Sequence, residues 1–148
     1  MNDDLRHAVE KLGRLRRYRG SEGCAPHKPL LLIAVFDEIA AGRITRNHIV
    51  LSESLERTFA SWWSRLVPHR AEVGGIEYPF RHLVSDGFWL LLPSDEDISP
   101  HAPLPADKST LRLRYHARFT DEWWHLLLDY ENLQLLQTYL IKLYFGPK

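Results

Sequence analysis

A chain of 148 residues has the length of one ordinary domain, so a single core spanning residues 1–148 is expected and a two-domain enzyme is not. Apolar residues at 45%, aromatic residues at 11% and charged residues at 26% are those of a soluble globular protein, which argues against disorder. Lys plus Arg equals Asp plus Glu at 19 each, so no basic net charge announces a nucleic-acid partner, and any anion site has to come from local clustering.

From Asp3 to Tyr18 the residues Leu5, Val9, Leu12 and Leu15 recur at helical spacing among Arg6, Lys11, Arg14, Arg16 and Arg17, which predicts an amphipathic helix with a basic end. Arg19 to Lys28 carries Gly20, Gly23 and Pro26 without periodicity and reads as a loop. The one cysteine, Cys24, excludes an internal disulfide framework and a Cys-based zinc site, and reads as a small buried hydrophobe in a reducing compartment. Pro29 suits the first turn of a helix, Leu30 to Ala41 is apolar nearly all round, and Gly42 supplies a stop; such a helix belongs at the centre of the fold. Its apolar run, Leu30 to Phe36, is too short to span a bilayer, and the polar, acidic N-terminus lacks a targeting pattern, so a soluble, cytoplasmic protein with no membrane partner is expected.

Leu55, Phe59, Trp62, Trp63 and Leu66 form a third helical stripe ending near Pro68, read as core. Phe80 to Val84 and Phe88 to Leu92 flank Ser85-Asp86-Gly87, which predicts a β-hairpin turning at Asp-Gly. Pro93 to Ser109 reads as a long surface connection, and the alternation Leu111-Arg112-Leu113-Arg114-Tyr115 as a short strand pairing with the hairpin, its two arginines on one open face. Thr120 offers an N-cap for a helix through Tyr130, and a last helix, Asn132 to Phe145, closes at Gly146-Pro147. The expected fold is α+β and mostly α-helical: a central buried helix, four surrounding helices, and a small antiparallel β-hairpin extended to three strands.

Eight histidines invite a search for catalytic or metal chemistry. His48, His69, His82, His101, His116 and His125 are scattered, with no His-Glu-x-x-His and no close His pair at ligand spacing, so neither a metal nor another cofactor is expected. No nucleophile elbow, phosphate loop or dinucleotide fingerprint is present, and Asn47-His48 looks like half of a His-Asn-His nuclease motif without its flanking elements. No catalytic residue is assigned. The basic residues cluster instead: Arg14, Arg16, Arg17 and Arg19 lie close in sequence to His27 and Lys28, with Glu22 the single acid of that stretch. Such a patch either neutralises phosphates or merely offsets a helix dipole.

The blocks Tyr18-Arg19-Gly20, Ala25-Pro26-His27-Lys28-Pro29-Leu30-Leu31-Leu32, Tyr78-Pro79-Phe80-Arg81-His82-Leu83 and Ser85-Asp86-Gly87-Phe88-Trp89 are specific as an ordered set. They resemble the sulfur-binding domain of McrA-type, modification-dependent restriction endonucleases, from about Tyr18 to Leu92. The resemblance implies a mostly helical module that recognises phosphorothioated double-stranded DNA by seating the backbone sulfur in a shallow apolar pocket. Its cutting partner is a separate His-Asn-His nuclease domain, fused or associated, as in type IV restriction. It places the pocket at His27, Lys28, Tyr78 and Pro79 with His82 near its wall, and DNA backbone or base contacts at Arg14, Arg16, Arg17, Arg19 and Arg81. Lys28 stands where some relatives carry arginine, and His82 where some carry a smaller side chain.

Three other readings stay open on the residues alone. One is a helical DNA-binding regulator that sees unmodified DNA; another is a small metal-dependent nuclease; the third is a protein-interaction module using exposed aromatics.

Overall fold

The structure is a computed structural model that describes residues 2–16, 19–20, 23–24, 26–69 and 74–146, with the backbone alone at 19, 20, 23 and 24. Tyr18 and Ala25 lie outside the described residues, as do Arg17 and the side chains of Arg19 and Cys24.

Helix α1 spans Asp3–Leu12: Asn2 caps it by accepting the Leu5 N–H at 2.8 Å, Asp3 and Asp4 sit at the positive end of its dipole, and Leu5, Ala8 and Leu12 face the core. The helix was expected to run to Tyr18, and it ends sooner. Past Gly13 the Arg14 N–H bonds the Lys11 carbonyl instead of that of Glu10, and farther on the Tyr144 hydroxyl donates to the Leu12 carbonyl while Arg16 N–H donates to Asp86 Oδ1 at 2.9 Å. Both halves of a later helical bond, Arg16 to Leu12, are therefore taken. In the stretch read as a loop, β1 (Arg19–Gly20) and β2 (Gly23–Cys24) pair antiparallel as a minimal hairpin.

Helix α2 (His27–Ala40) is the buried centre, with Leu30 to Phe36 all inaccessible to solvent and Pro29 in its first turn. It stops before Gly42, whose φ of +78° lies in the left-handed region. Helix α3 (Glu53–Leu66) lays its Leu55, Phe59 and Trp63 stripe against α2. The buried Glu38 carboxylate is satisfied by Arg43, Ser54 and Thr58 at 2.6, 3.1 and 2.5 Å.

The expected hairpin around Asp86-Gly87 is not formed. Glu77–His82 is a short helix, α4, and Leu83–Asp86 continues it as a 3₁₀ turn that ends at Gly87 with φ +92°. The Asp-Gly pair therefore terminates a helical segment, where a residue in the left-handed region lets the chain reverse. Ile76, Phe80 and Leu83 are buried at helical spacing, and the Phe80 carbonyl is taken by the Trp89 indole N–H at 2.9 Å. The second arm is a strand as expected, β3 (Trp89–Pro93).

Leu111 to Tyr115 is likewise mostly helical: Asp107 caps α5 (Lys108–Arg114) by accepting the Thr110 N–H at 2.9 Å. Leu111 and Tyr115 are buried four residues apart whereas Leu113 is 73% exposed, so the helical period overrides the alternation. Arg112 and Arg114 do not share an open face; Arg112 bonds the Leu51 carbonyl and Glu56, and Arg114 bonds Asp95 and Asp97, which ties down the acidic 93–109 connection. Strand β4 (Tyr115–Phe119) follows and pairs antiparallel with β3, Trp89 opposite Phe119 and Pro93 opposite Tyr115. This sheet has two strands rather than the expected three, and one isolated bridge, Ile49 to Ala117, extends it. The Asn47 amide lengthens it by bonding both the N–H and the carbonyl of Phe119 at 2.8 Å.

Helix α6 (Asp121–Leu127) starts after Thr120 as expected, and α7 (Tyr130–Phe145) starts two residues early because Asp129 accepts the Glu131 N–H at 2.9 Å. Phe88, Phe119 and Trp123 stack at the sheet-to-helix junction, with Phe88 to Trp123 at 4.1 Å. The mostly helical α+β class stands, with seven α-helices among the described residues rather than five. Among those residues, no helix is long and apolar enough to cross a membrane.

Candidate functional site

About half of the described cations are matched to acids, and of those that are not, Arg46 and Lys142 lie apart from the cleft described next. Arg6 pairs with Asp3, Arg43 with Glu38, Arg57 with Glu53, Lys108 and Arg112 with Glu56, Arg114 with Asp95 and Asp97, and Arg118 with Asp121. Arg65 lies over the Trp62 ring at 4.2 Å. Lys11, Arg14 and Arg16 are exposed and make no ion pair among the described residues, and all three line one cleft of about 270 Å³. The cleft lies between α1, which supplies His7 and Glu10 as well, and the end of the 3₁₀ turn at Ser85 and Asp86. A surface that gathers three cations against Glu10 as its one unpaired acid is suited to an external anion.

Next to this cleft stands an edge of rings. His27, half-buried in the first turn of α2, has its ring 5.1 Å from Trp63 and 6.3 Å from Tyr78. Tyr78 is 62% exposed, and its ring lies 6.2 Å from that of His82 with 15° between their planes. The period of α4 sets this arrangement, since Tyr78 and His82 are four residues apart on one helical face. Gly74 passes so near that a Cβ on it would come within 2.3 Å of His27 Nε2 and 2.7 Å of Trp63 Cη2, so only glycine fits against that ring. His82 is held below its ordinary pKa by partial loss of hydration and then by the Arg81 and Lys28 charges, which favours a neutral imidazole beside Tyr78 at neutral pH.

One buried ion pair joins edge and cleft. Lys28 Nζ lies 2.6 Å from Asp86 Oδ2, the two side chains being 9% and 4% exposed. The other Asp86 oxygen accepts the Arg16 N–H at 2.9 Å, and Ser85 Oγ, 3.5 Å from Lys28 Nζ, donates to the His82 carbonyl at 3.0 Å. Asp86 thus holds three segments in register: the α2 start with His27, the α4 turn with Tyr78 and His82, and the Arg14 to Arg16 segment.

Of the residues singled out in the sequence, His27, Tyr78 and His82 come together at the surface. Pro79 belongs to the same helical turn but is buried, Lys28 points inward to Asp86, and Arg81 is half-exposed on α4 without an ion pair among the described residues. Arg14 and Arg16 reach the cleft, while Arg17 and the Arg19 side chain lie outside the described residues. Sequence reasoning passed over Asp86, Lys11 and Ser85. The available signal was a single acid inside the apolar run from Phe80 to Leu92, where a carboxylate needs a partner. Among the described residues, no group of three His, Cys, Asp or Glu side chains gathers at metal-ligating distance.

No protein-family profile matches the chain, and no curated protein does. Solved structures do. The sulfur-binding and SRA domains of ScoMcrA, complexed with phosphorothioated DNA, superpose with a TM-score of 0.69 at 23% identity, covering 93% of this chain and 42% of that one. The sulfur-binding domain of ScoMcrA by itself, also complexed with phosphorothioated DNA, gives 0.66 at 21% identity, with 93% and 86% covered. The type IV phosphorothioation-dependent restriction endonuclease ScoMcrA gives 0.66 at 22% identity, and this chain spans 29% of its length. Over nearly all its length, the chain therefore has the fold of the ScoMcrA sulfur-binding domain.

Proposed function

We propose that this chain is a single DNA-recognition domain that reads an Rp phosphorothioate in a double-stranded backbone and performs no catalysis itself. Cleavage would fall to a separate His-Asn-His nuclease domain, fused or associated, working in the cytoplasm. The observation that carries the reading is the Tyr78, His27 and His82 edge, joined through Asp86 to a cleft of unmatched cations, on a fold that ScoMcrA uses in complexes with phosphorothioated DNA.

The chemistry follows from what sulfur changes. A non-bridging sulfur keeps the negative charge but is larger, more polarizable and less hydrated than oxygen. Ring faces at Tyr78 and a neutral His82 offer it dispersion contacts, with Pro79 bracing the turn behind them. An oxygen placed there would lose water without a matching donor, at a cost of about 1–3 kcal/mol. That corresponds to a preference of about tenfold to a hundredfold. The phosphate charge would be met by Arg81 and by the positive end of the α2 dipole at His27, with Lys28 held behind them by Asp86. Arg14 and Arg16, with Arg17 and Arg19 from the same stretch, would hold ordinary phosphates, which position a duplex without reading its sequence.

The test is a pair of titrations at one salt concentration, using the same short duplex with and without one Rp sulfur, in several flanking sequences. At least about tenfold tighter binding of the sulfur duplex in some context is expected. Equal binding in every context would replace this reading with a DNA-binding regulator of unmodified DNA, and no binding with a protein-interaction module. Arg14→Ala and Arg16→Ala should weaken both duplexes alike, and each should reduce the slope of log affinity against log salt by about 0.9, as measured by titration across salt concentrations.

A further inference from the structure

We infer that the cleft between α1 and Ser85 seats one phosphate of the same DNA, distinct from the one that offers its sulfur to the Tyr78 edge. The inference rests on the DNA reading above but names a site of its own, with Lys11 as a new contact.

Charge comes first. Asp86 lines the cleft, yet its carboxylate is occupied by Lys28 Nζ and Arg16 N–H, so it does not repel an anion as a free acid would. What remains is Lys11, Arg14 and Arg16 against one unpaired carboxylate, Glu10. This local surplus stands out in a chain with 19 basic and 19 acidic residues. Lys11 leans over the floor, its Nζ only 3.8 Å from where a Cβ on Gly87 would lie.

Shape comes second. The cations surround a concavity rather than a flat stripe, which suits one compact tetrahedral anion, and two guanidinium forks with the Lys11 ammonium offer charged donors from more than one side.

Placement comes third. Ser85 follows His82 by three residues along a helical turn that becomes 3₁₀, a rise of about 6 Å at about 2 Å per residue. Phosphates on one strand recur every 3.4 Å or so along the duplex axis. A duplex lying on the Tyr78 edge therefore brings a phosphate to the cleft within about three steps of the sulfur.

The experiment is a walk of one neutral methylphosphonate along a duplex carrying a single Rp sulfur, with affinity measured for the parent chain and for the Lys11→Ala/Arg14→Ala double variant, both exposed positions. In the parent, one position within about three steps of the sulfur should lose about tenfold in affinity, the loss of a charge-assisted contact. In the double variant that position should behave like its neighbours. An unchanged profile in the variant overturns the inference, as does a parent profile with no sensitive position.

Glu10→Gln removes the one opposing charge and should tighten both sulfur and oxygen duplexes by about twofold to fivefold, a gain that damage to the fold does not produce. Unchanged or weaker binding counts against the site. If sulfur makes no difference while the coupling between Lys11/Arg14 and one phosphate persists, the sulfur reading fails and the cleft stands. Failure to bind any duplex overturns both.

Discussion

Asp86→Ala is expected to destabilise the domain by about 3–5 kcal/mol, because it leaves the Lys28 ammonium buried without its counter-charge. For a chain of this size that is a fall in Tm of roughly 6–20 °C, measurable by thermal unfolding. Both side chains are nearly inaccessible at 9% and 4% exposure, so the pair is shielded from salt and the effect should persist at high ionic strength. The substitution also removes the acceptor of Arg16 N–H, which tethers the segment after α1, adding about 1 kcal/mol. The double variant Lys28→Met/Asp86→Leu discriminates between causes. With no buried charge left over, it should recover most of the stability, since apolar replacement of a buried pair is often neutral or better. A single variant less than about 1 kcal/mol below the parent would mean that the pair is not buried in solution.

Tyr78→Ala is expected to abolish the preference for sulfur DNA, a loss of about tenfold to a hundredfold in discrimination. Affinity for the ordinary duplex should change by no more than about threefold, because the charges of the cleft are untouched. The position is favourable for such a test: at 62% exposure, Tyr78 contributes little to the core, and alanine suits a helix. Pro79→Ala should act in the same direction, but Pro79 is buried, so its thermal stability has to be measured alongside its binding. Paired titrations of sulfur and oxygen duplexes check both. Full discrimination in Tyr78→Ala would place the sulfur somewhere other than this edge.

The central helix was legible because an apolar run too long for a strand, with proline at its start and Gly42 at its end, has few other solutions. The stripes of α1 and α3 and the leucines of α7 were readable for the same reason. Between Tyr78 and Leu92 the local signals misled. Asp-Gly is a strong hairpin turn, yet glycine in the left-handed region serves equally to end a helix, and the buried set Ile76, Phe80 and Leu83 chose the helical use. From Leu111 to Tyr115 the strict alternation argued a strand, but Leu111 and Tyr115 are also four residues apart, and with the Asp107 cap and the acids that meet Arg112 and Arg114 the segment is helical.

The site divides along the same line. The family resemblance of the ordered blocks, rather than any one local pattern, singled out His27, Lys28, Tyr78, Pro79 and His82. Sequence order and residue type by themselves determined the helical class of the fold, since helical periodicity is a property of near neighbours. Only the tertiary structure decided that Lys28 turns inward, that Asp86 is its partner 58 residues away, and that the segment after α1 is held by Tyr144 and Asp86 rather than by further helical bonds. Likewise, the collection of Lys11, Arg14 and Arg16 into one cleft depends on which other cations find acids first. Charge pairing over long sequence separation is a competition among all the groups that the fold brings together, and no local window contains its competitors.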